Sequence, residues 1–222
     1  MVSRQMKSDA QIRRDVEDEL TAEPSLDASA IGVAVKDGIL TLSGHVPSYS
    51  EKLAAERSVG RVFGISAIVS ELDIKLPGAS ITDEDIARAA VGALTWNSFV
   101  PPDRIKVEVG SGWITLEGDV DWHYQKLAAH DAVCNLRGVR GVTDEIIVKS
   151  ASVRNAVEAH IEAALRRRFG KESDHIKIET RGDHVILRGI VASLSERAEV
   201  EHAAWTTPGV CHVDNNLIVK SA

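Results

Sequence analysis

The sequence predicts an α+β protein made of three tandem αββαβ units, each a three-stranded mixed sheet with two helices on one face. Three observations predict it. Similar segments close on glycine at Gly44 (LTLSG), Gly118 (ITLEG) and Gly189 (VILRG), separated by 74 and 71 residues. Those two offsets, applied without a gap, superpose apolar positions along the whole unit: Ile12 with Ile86 and Val157, Leu20 with Leu94 and Leu165, Ile31 with Ile105 and Ile176, Leu72 with Ile146 and Leu217. Within each unit the apolar spacing also changes from four to two, as expected where a helix gives way to strands. The units run over 8–76, 82–150 and 153–221. Pro77-Gly78-Ala79-Ser80 and Ala151-Ser152 join them, too short for independent domains, so defined mutual contacts are expected.

Each unit opens with a helix. Ile12, Val16 and Leu20 recur every four residues, as do Val157, Ile161 and Leu165. Ser8 and Thr82 stand at N-cap positions with acidic residues behind them, and Thr82 with Asp85 has capping-box spacing. Two alternating strands follow, with Ile31, Val33 and Val35 on the first and Leu40 and Leu42 on the second. Between them lie Asp37-Gly38, Ser111-Gly112 and Gly182-Asp183, pairs that tolerate the positive φ of a tight hairpin. A second helix is expected from Ala55, Val59 and Val62, repeated as Ala129, Val133 and Leu136 and weakening to Val200, Ala204 and Thr207. Gly64, Gly138 and Gly209 end it, and a last strand carries Leu72 and Ile74 or their counterparts. The structural glycines of the repeat are thus Gly44, Gly118, Gly189, Gly64, Gly138 and Gly209.

Composition narrows the function. The chain has 222 residues, is 44% hydrophobic and only 4% aromatic, and has a net charge of −7. Aliphatic cores in small units offer little room for a ligand pocket. The acidic balance argues against nucleic acid as a partner, because phosphate contacts need clustered cations. Neither an apolar leader at Met1–Ser8 nor a long apolar stretch is present, so a cytoplasmic protein is expected. Cys134 and Cys211 do not match between units and read as reduced, buried, small apolar residues.

The second strand has the form Gly-x-hydrophobic-x-Leu-x-Gly, as Gly38-Ile39-Leu40-Thr41-Leu42-Ser43-Gly44 and Gly112-Trp113-Ile114-Thr115-Leu116-Glu117-Gly118. The third copy has Asp183 where the first glycine belongs, with Gly182 one place early. A later Gly-Val leads into the last strand at Gly138-Val139 and Gly209-Val210, and the final copy carries Val213-Asp214-Asn215-Asn216-Leu217. These motifs resemble the BON domain family, over nearly the whole chain. The resemblance implies a non-catalytic module that binds phospholipid membranes or membrane- and envelope-associated proteins, with kinship to bacterial osmotic-stress and transport-associated proteins. It implies a peripheral place at the inner membrane for a chain that stays in the cytoplasm. The alternative is a soluble scaffold whose repeats bind protein partners or one another, including as a homo-oligomer.

No catalytic site, cofactor site or metal site emerges from the residues. His202 with Cys211-His212, and His123 with His130, lack compact zinc spacing. Asp119 and Asp121 read as solvated acids, and no nucleophile elbow or phosphate loop is present. Two features carry more. Arg166, Arg167, Arg168 and Phe169 follow the first helix of the third unit, the one unit whose charges balance, and form a candidate contact for headgroups or an acidic partner. The sheet face turned away from the helices carries Trp113, Thr115 and Ile147 in copy two, and Ile186 and Ile218 in copy three, a candidate contact between domains or chains. Trp96, Phe99, Trp122 and Tyr124 are expected to plug the core of copy two from its loops, with anchoring at headgroup depth as the alternative.

Overall fold

A computed structural model of the chain describes residues 7–76, 78, 81–149, 161, 163, 175–207 and 209–220. Unit one is α1 (Asp9–Ala22), β1 (Ile31–Lys36), β2 (Ile39–Val46), α2 (Tyr49–Val59) and β3 (Ala67–Ile74). Unit two repeats it as α3 (Asp83–Trp96), β4 (Ile105–Gly110), β5 (Trp113–Val120), α4 (His123–Cys134) and β6 (Gly141–Val148). Unit three contributes β7 (Ile176–Arg181), β8 (His184–Val191), α5 (Leu194–Trp205) and β9 (His212–Val219). Arg166, Arg167, Arg168 and Phe169 lie outside the described residues.

The caps explain where the first helices start. Ser8 accepts from the Gln11 backbone N–H, and the Gln11 side chain accepts from the Ser8 N–H, a complete capping box. At α3 Thr82 accepts from the Asp85 N–H at 3.2 Å, and Asp85 accepts from the Thr82 hydroxyl at 2.7 Å, a bond that holds the Asp85 carboxyl below the usual carboxylate range. The first helical residue then ties the helix to the hairpin. Asp9 accepts from the N–H groups of Asp37 and Gly38 at 2.9 and 3.2 Å, and Asp83 from those of Ser111 and Gly112 at 2.7 and 2.8 Å. Both turn residues have positive φ in each case, and the clamped N–H groups point where only such a turn aims them. In the third copy Gly182 alone is left-handed, so the early glycine changes the turn without changing its length.

In every sheet the middle strand pairs antiparallel with its predecessor and parallel with its successor (β1-β2-β3, β4-β5-β6, β7-β8-β9). The helices cover one face. Ile12, Val16, Leu20, Leu40, Leu42, Ala55, Val59, Ile65 and Leu72 form the first core, and Ile86, Ala90, Leu94, Ile114, Leu116, Ala129, Val133 and Ile146 the second. The third is built on Ile161, Val185, Leu187, Val200, Ala204 and Leu217. Val62 is buried although α2 ends at Val59, so the last turn of the expected stripe is a turn beyond the helix.

Among the described residues the three units touch through a repeated contact. By the repeat offsets Tyr49, His123 and Leu194 are equivalent, each the first residue of its unit's second helix; Gly60, Cys134 and Trp205 are equivalent at that helix's far end. Tyr49 packs on the second core, its hydroxyl paired with the Val142 backbone near Cys134. His123 stacks on Trp205 with ring centroids 4.3 Å apart and planes 9° from parallel. Leu194 packs on the first core beside Gly60, whose carbonyl accepts from the Ser195 N–H at 2.9 Å. Unit one thus docks on two, two on three and three on one, a head-to-tail association that closes within one chain.

Candidate functional site

Where the middle strand begins beside the third, the outer sheet faces of the three copies carry residues of different chemistry. Copy one puts Ile39, Ala67 and Val69 there, copy two Trp113, Gly141 and Thr143, copy three His184, His212 and Asp214. Strand register explains each group: Trp113 pairs with Gly141 and His184 with His212, and the third member lies two residues on, facing the same way. In copy two the indole lies against Gly141, where a Cβ would come within 2.5 Å of the ring, and its Nε1–H donates to the Thr143 hydroxyl at 2.7 Å. Trp113 is therefore held in one orientation while 51% exposed.

Of the expected sheet-face contacts, Ile147 and Ile218 stand out to solvent at 60% and 67%, and Thr115 is half-buried. Ile186 is only 8% exposed and is not available as a contact. Among the described residues the contacts between units run through the second helices.

The aromatic residues of copy two overturn the expectation that they plug its core. Trp96, the last residue of α3, is 90% exposed, and Phe99 in the following turn is 63% exposed. Val100 fills the core in their place. Trp122 and Tyr124 at the start of α4 are also exposed, and Tyr124 meets Phe99 edge to face at 6.2 Å. The Asn97 side chain, donating to the Ala128 carbonyl, ties the end of α3, where Trp96 and Phe99 lie, to α4, which opens behind Trp122 and carries Tyr124.

The titratable groups are distributed otherwise than spacing suggested. Asp119 and Asp121 are not simply solvated. Both hold Arg104, whose guanidinium keeps Asp119 below the usual carboxylate range, with Lys149 assisting. His202 does not join His212; it faces His123 across the second-to-third contact. Burial there pushes His123 down to about 4, with the Lys126 and His202 charges adding to the effect. His130 lies 3.3 Å from the Cys134 sulfur. Cys134 is buried, and its thiol is pushed up to about 12, chiefly by that burial, whereas Cys211 is half-exposed, contrary to expectation. The grouping of His184 with His212 and Asp214 was missed in the sequence. Only the parallel β8–β9 register brings residues 28 apart side by side, and the His-x-Asp spacing of the last strand was the available signal.

The family comparison agrees with this architecture. The BON domain matches residues 8–75, 82–150 and 155–221. A search of curated proteins finds no match. Among solved structures, CdsD, a structural protein of the type III secretion system of Chlamydia trachomatis, is 14% identical, with 94% of this chain and 92% of that chain covered and a TM-score of 0.27. The PrgH periplasmic domain is 11% identical over 92% of this chain and 98% of that one, with a TM-score of 0.21. Three matches, each falling on one αββαβ unit, place the chain in the BON domain family.

Proposed function

We propose that this non-enzymatic BON-repeat protein docks on phospholipid membrane surfaces through the aromatic end of its second domain. The observation that carries the reading is the 90% exposure of Trp96 beside an exposed Phe99. Leaving such a side chain in water forgoes roughly 1.5–3 kcal/mol of burial. Trp and Tyr recover that energy at headgroup depth, where the ring is apolar and its polar tip stays wet. No described helix is long and apolar enough to cross a membrane, so the contact would be peripheral. With a net charge of −7, insertion of rings supplies the attraction, and Arg166, Arg167 and Arg168 would add a salt-sensitive share on anionic lipid.

Co-sedimentation with neutral and anionic vesicles, at low and physiological salt, tests this. Binding is expected to both, weakened by Trp96→Ala with Phe99→Ala. Loss of only the anionic, low-salt component is expected on replacing the three arginines by Ala. Absence of binding under every condition would remove the membrane reading. The scaffold reading would then stand on Trp113, Ile147 and Ile218, exposed on fixed strands as a protein-binding face.

A further inference from the structure

We infer that the outer face of the third domain is a binding site for a divalent transition metal ion of the zinc class, held by His184, His212 and Asp214. The three residues share one face of two hydrogen-bonded parallel strands, so backbone pairing fixes their spacing before any ligand arrives. Their ligand atoms all lie within 4.8 Å of one another. His184 Nε2 stands 2.9 Å from one Asp214 oxygen, and His212 Nε2 stands 3.2 Å from the other. Ligands about 2.0–2.1 Å from a tetrahedral ion are roughly 3.3 Å apart, so little movement is needed to seat one.

The present contacts do not satisfy these groups by themselves. His184 Nε2 is buried and has no hydrogen-bond partner despite its closeness to the carboxylate. A neutral imidazole nitrogen and a carboxylate oxygen repel at that distance unless a proton or a metal ion lies between them. The His184 and His212 rings meet nearly edge to face, 4.5 Å between centroids, and the exposed His212 leaves the site open to solvent. Two imidazoles and one carboxylate select borderline ions over calcium or magnesium, which prefer all-oxygen shells. The remaining coordination position is left for water or a ligand from outside the chain.

The fold does not require these residues. The same three positions are Ile39, Ala67 and Val69 in copy one and Trp113, Gly141 and Thr143 in copy two, and both build the same sheet. Two histidines and an aspartate in the third copy are thus a property of that face alone.

The test uses the full chain, stripped with EDTA and titrated with Zn²⁺ by calorimetry, and with Co²⁺ by absorption spectroscopy. One ion per chain is expected, with Co²⁺ bands free of thiolate charge transfer. The double variant His184→Ile, His212→Ala carries the copy-one residues and should fold. Residues merely supporting a metal ligand are worth about 10–100-fold in affinity, so loss of two ligands should weaken binding by more than about tenfold. His130→Ala with Cys134→Ser should leave it unchanged. Undiminished affinity in the double variant, a thiolate band, or no stoichiometric Zn²⁺ binding would overturn the proposal and leave the cluster an ion pair. Vesicle binding is read separately, so this result and the membrane result can fail independently.

Discussion

Replacing Gly118 by alanine should cost the second domain about 2–6 kcal/mol. Gly118 has φ +145 and pairs with Ile105, where the chain enters β4. A Cβ there would stand 2.1 Å from the Arg104 carbonyl oxygen, which belongs to backbone and cannot rotate away. The glycine-only conformation is worth about 1–3 kcal/mol, and relieving an overpacked contact costs about 1–3 kcal/mol more. Gly44 faces the Ala30 carbonyl at 2.1 Å and Gly189 that of His175 at 2.3 Å, so the penalty belongs to the unit and not to one copy. At about 4–8 °C per kcal/mol for a domain of this size, the loss is roughly 8 °C or more. Urea unfolding followed by tryptophan fluorescence reads mainly the second unit, since Trp96, Trp113 and Trp122 lie in it and the fourth tryptophan, Trp205, stacks on its His123. Gly92→Ala is the matched control. Gly92 lies within α3 with open space around it, so alanine should stabilise by about 0.5–1 kcal/mol. A Gly118→Ala protein within about 1 kcal/mol of the parent would refute the close-approach argument.

Three further outcomes are expected. Because the folded state holds His123 at about 4 against an ordinary 6.5, the unfolded chain takes up more protons between those values. Stability should be full above pH 6.5 and decline as pH falls toward 4; urea midpoints against pH for the parent and His123→Phe should show a slope that the variant lacks. A double-mutant cycle of His123→Ala and Trp205→Ala should give a coupling of about 0.5–1.5 kcal/mol from the stacked pair, and additivity would mean that the contact is absent in solution. The buried, high-pKa Cys134 thiol should resist a thiol reagent at pH 8 in the native protein and react only as the second domain opens, which mass spectrometry of the labelled peptide would reveal.

Periodicity located the buried half of this protein and not its exposed half. Ile12, Val16 and Leu20 recur at a helical spacing that has only one buried face, and the glycines at 44, 118 and 189 mark a backbone approach that recurs unchanged. The aromatics of copy two show that hydrophobicity alone is not a sign of burial. Val100 had already filled the space that Phe99 was expected to occupy. His184 and Asp214 could not be paired by spacing along the chain, since their neighbourhood depends on the register of two parallel strands joined by a helix. The contacts between units were equally hidden. Tyr49, His123 and Leu194 share a position but no chemistry, and only their common placement at the start of a helix reveals a common role.

Those three unlike residues also set an order of events during synthesis. Domains fold as units while the chain emerges. Tyr49 can find its seat once the second domain is out, but Leu194 reaches Gly60 across most of the chain's length. Until the ribosome has delivered α5, the first domain waits with Leu53, Gly60 and Ile68 uncovered, the surface on which Leu194 will settle. A nascent chain halted after two domains would carry one filled socket and one vacant one, and a neighbouring nascent chain would offer the same vacancy. Finishing the third domain is therefore what turns a sticky intermediate into a self-contained molecule, so truncations that remove α5 should aggregate more readily than their intact first two domains would suggest.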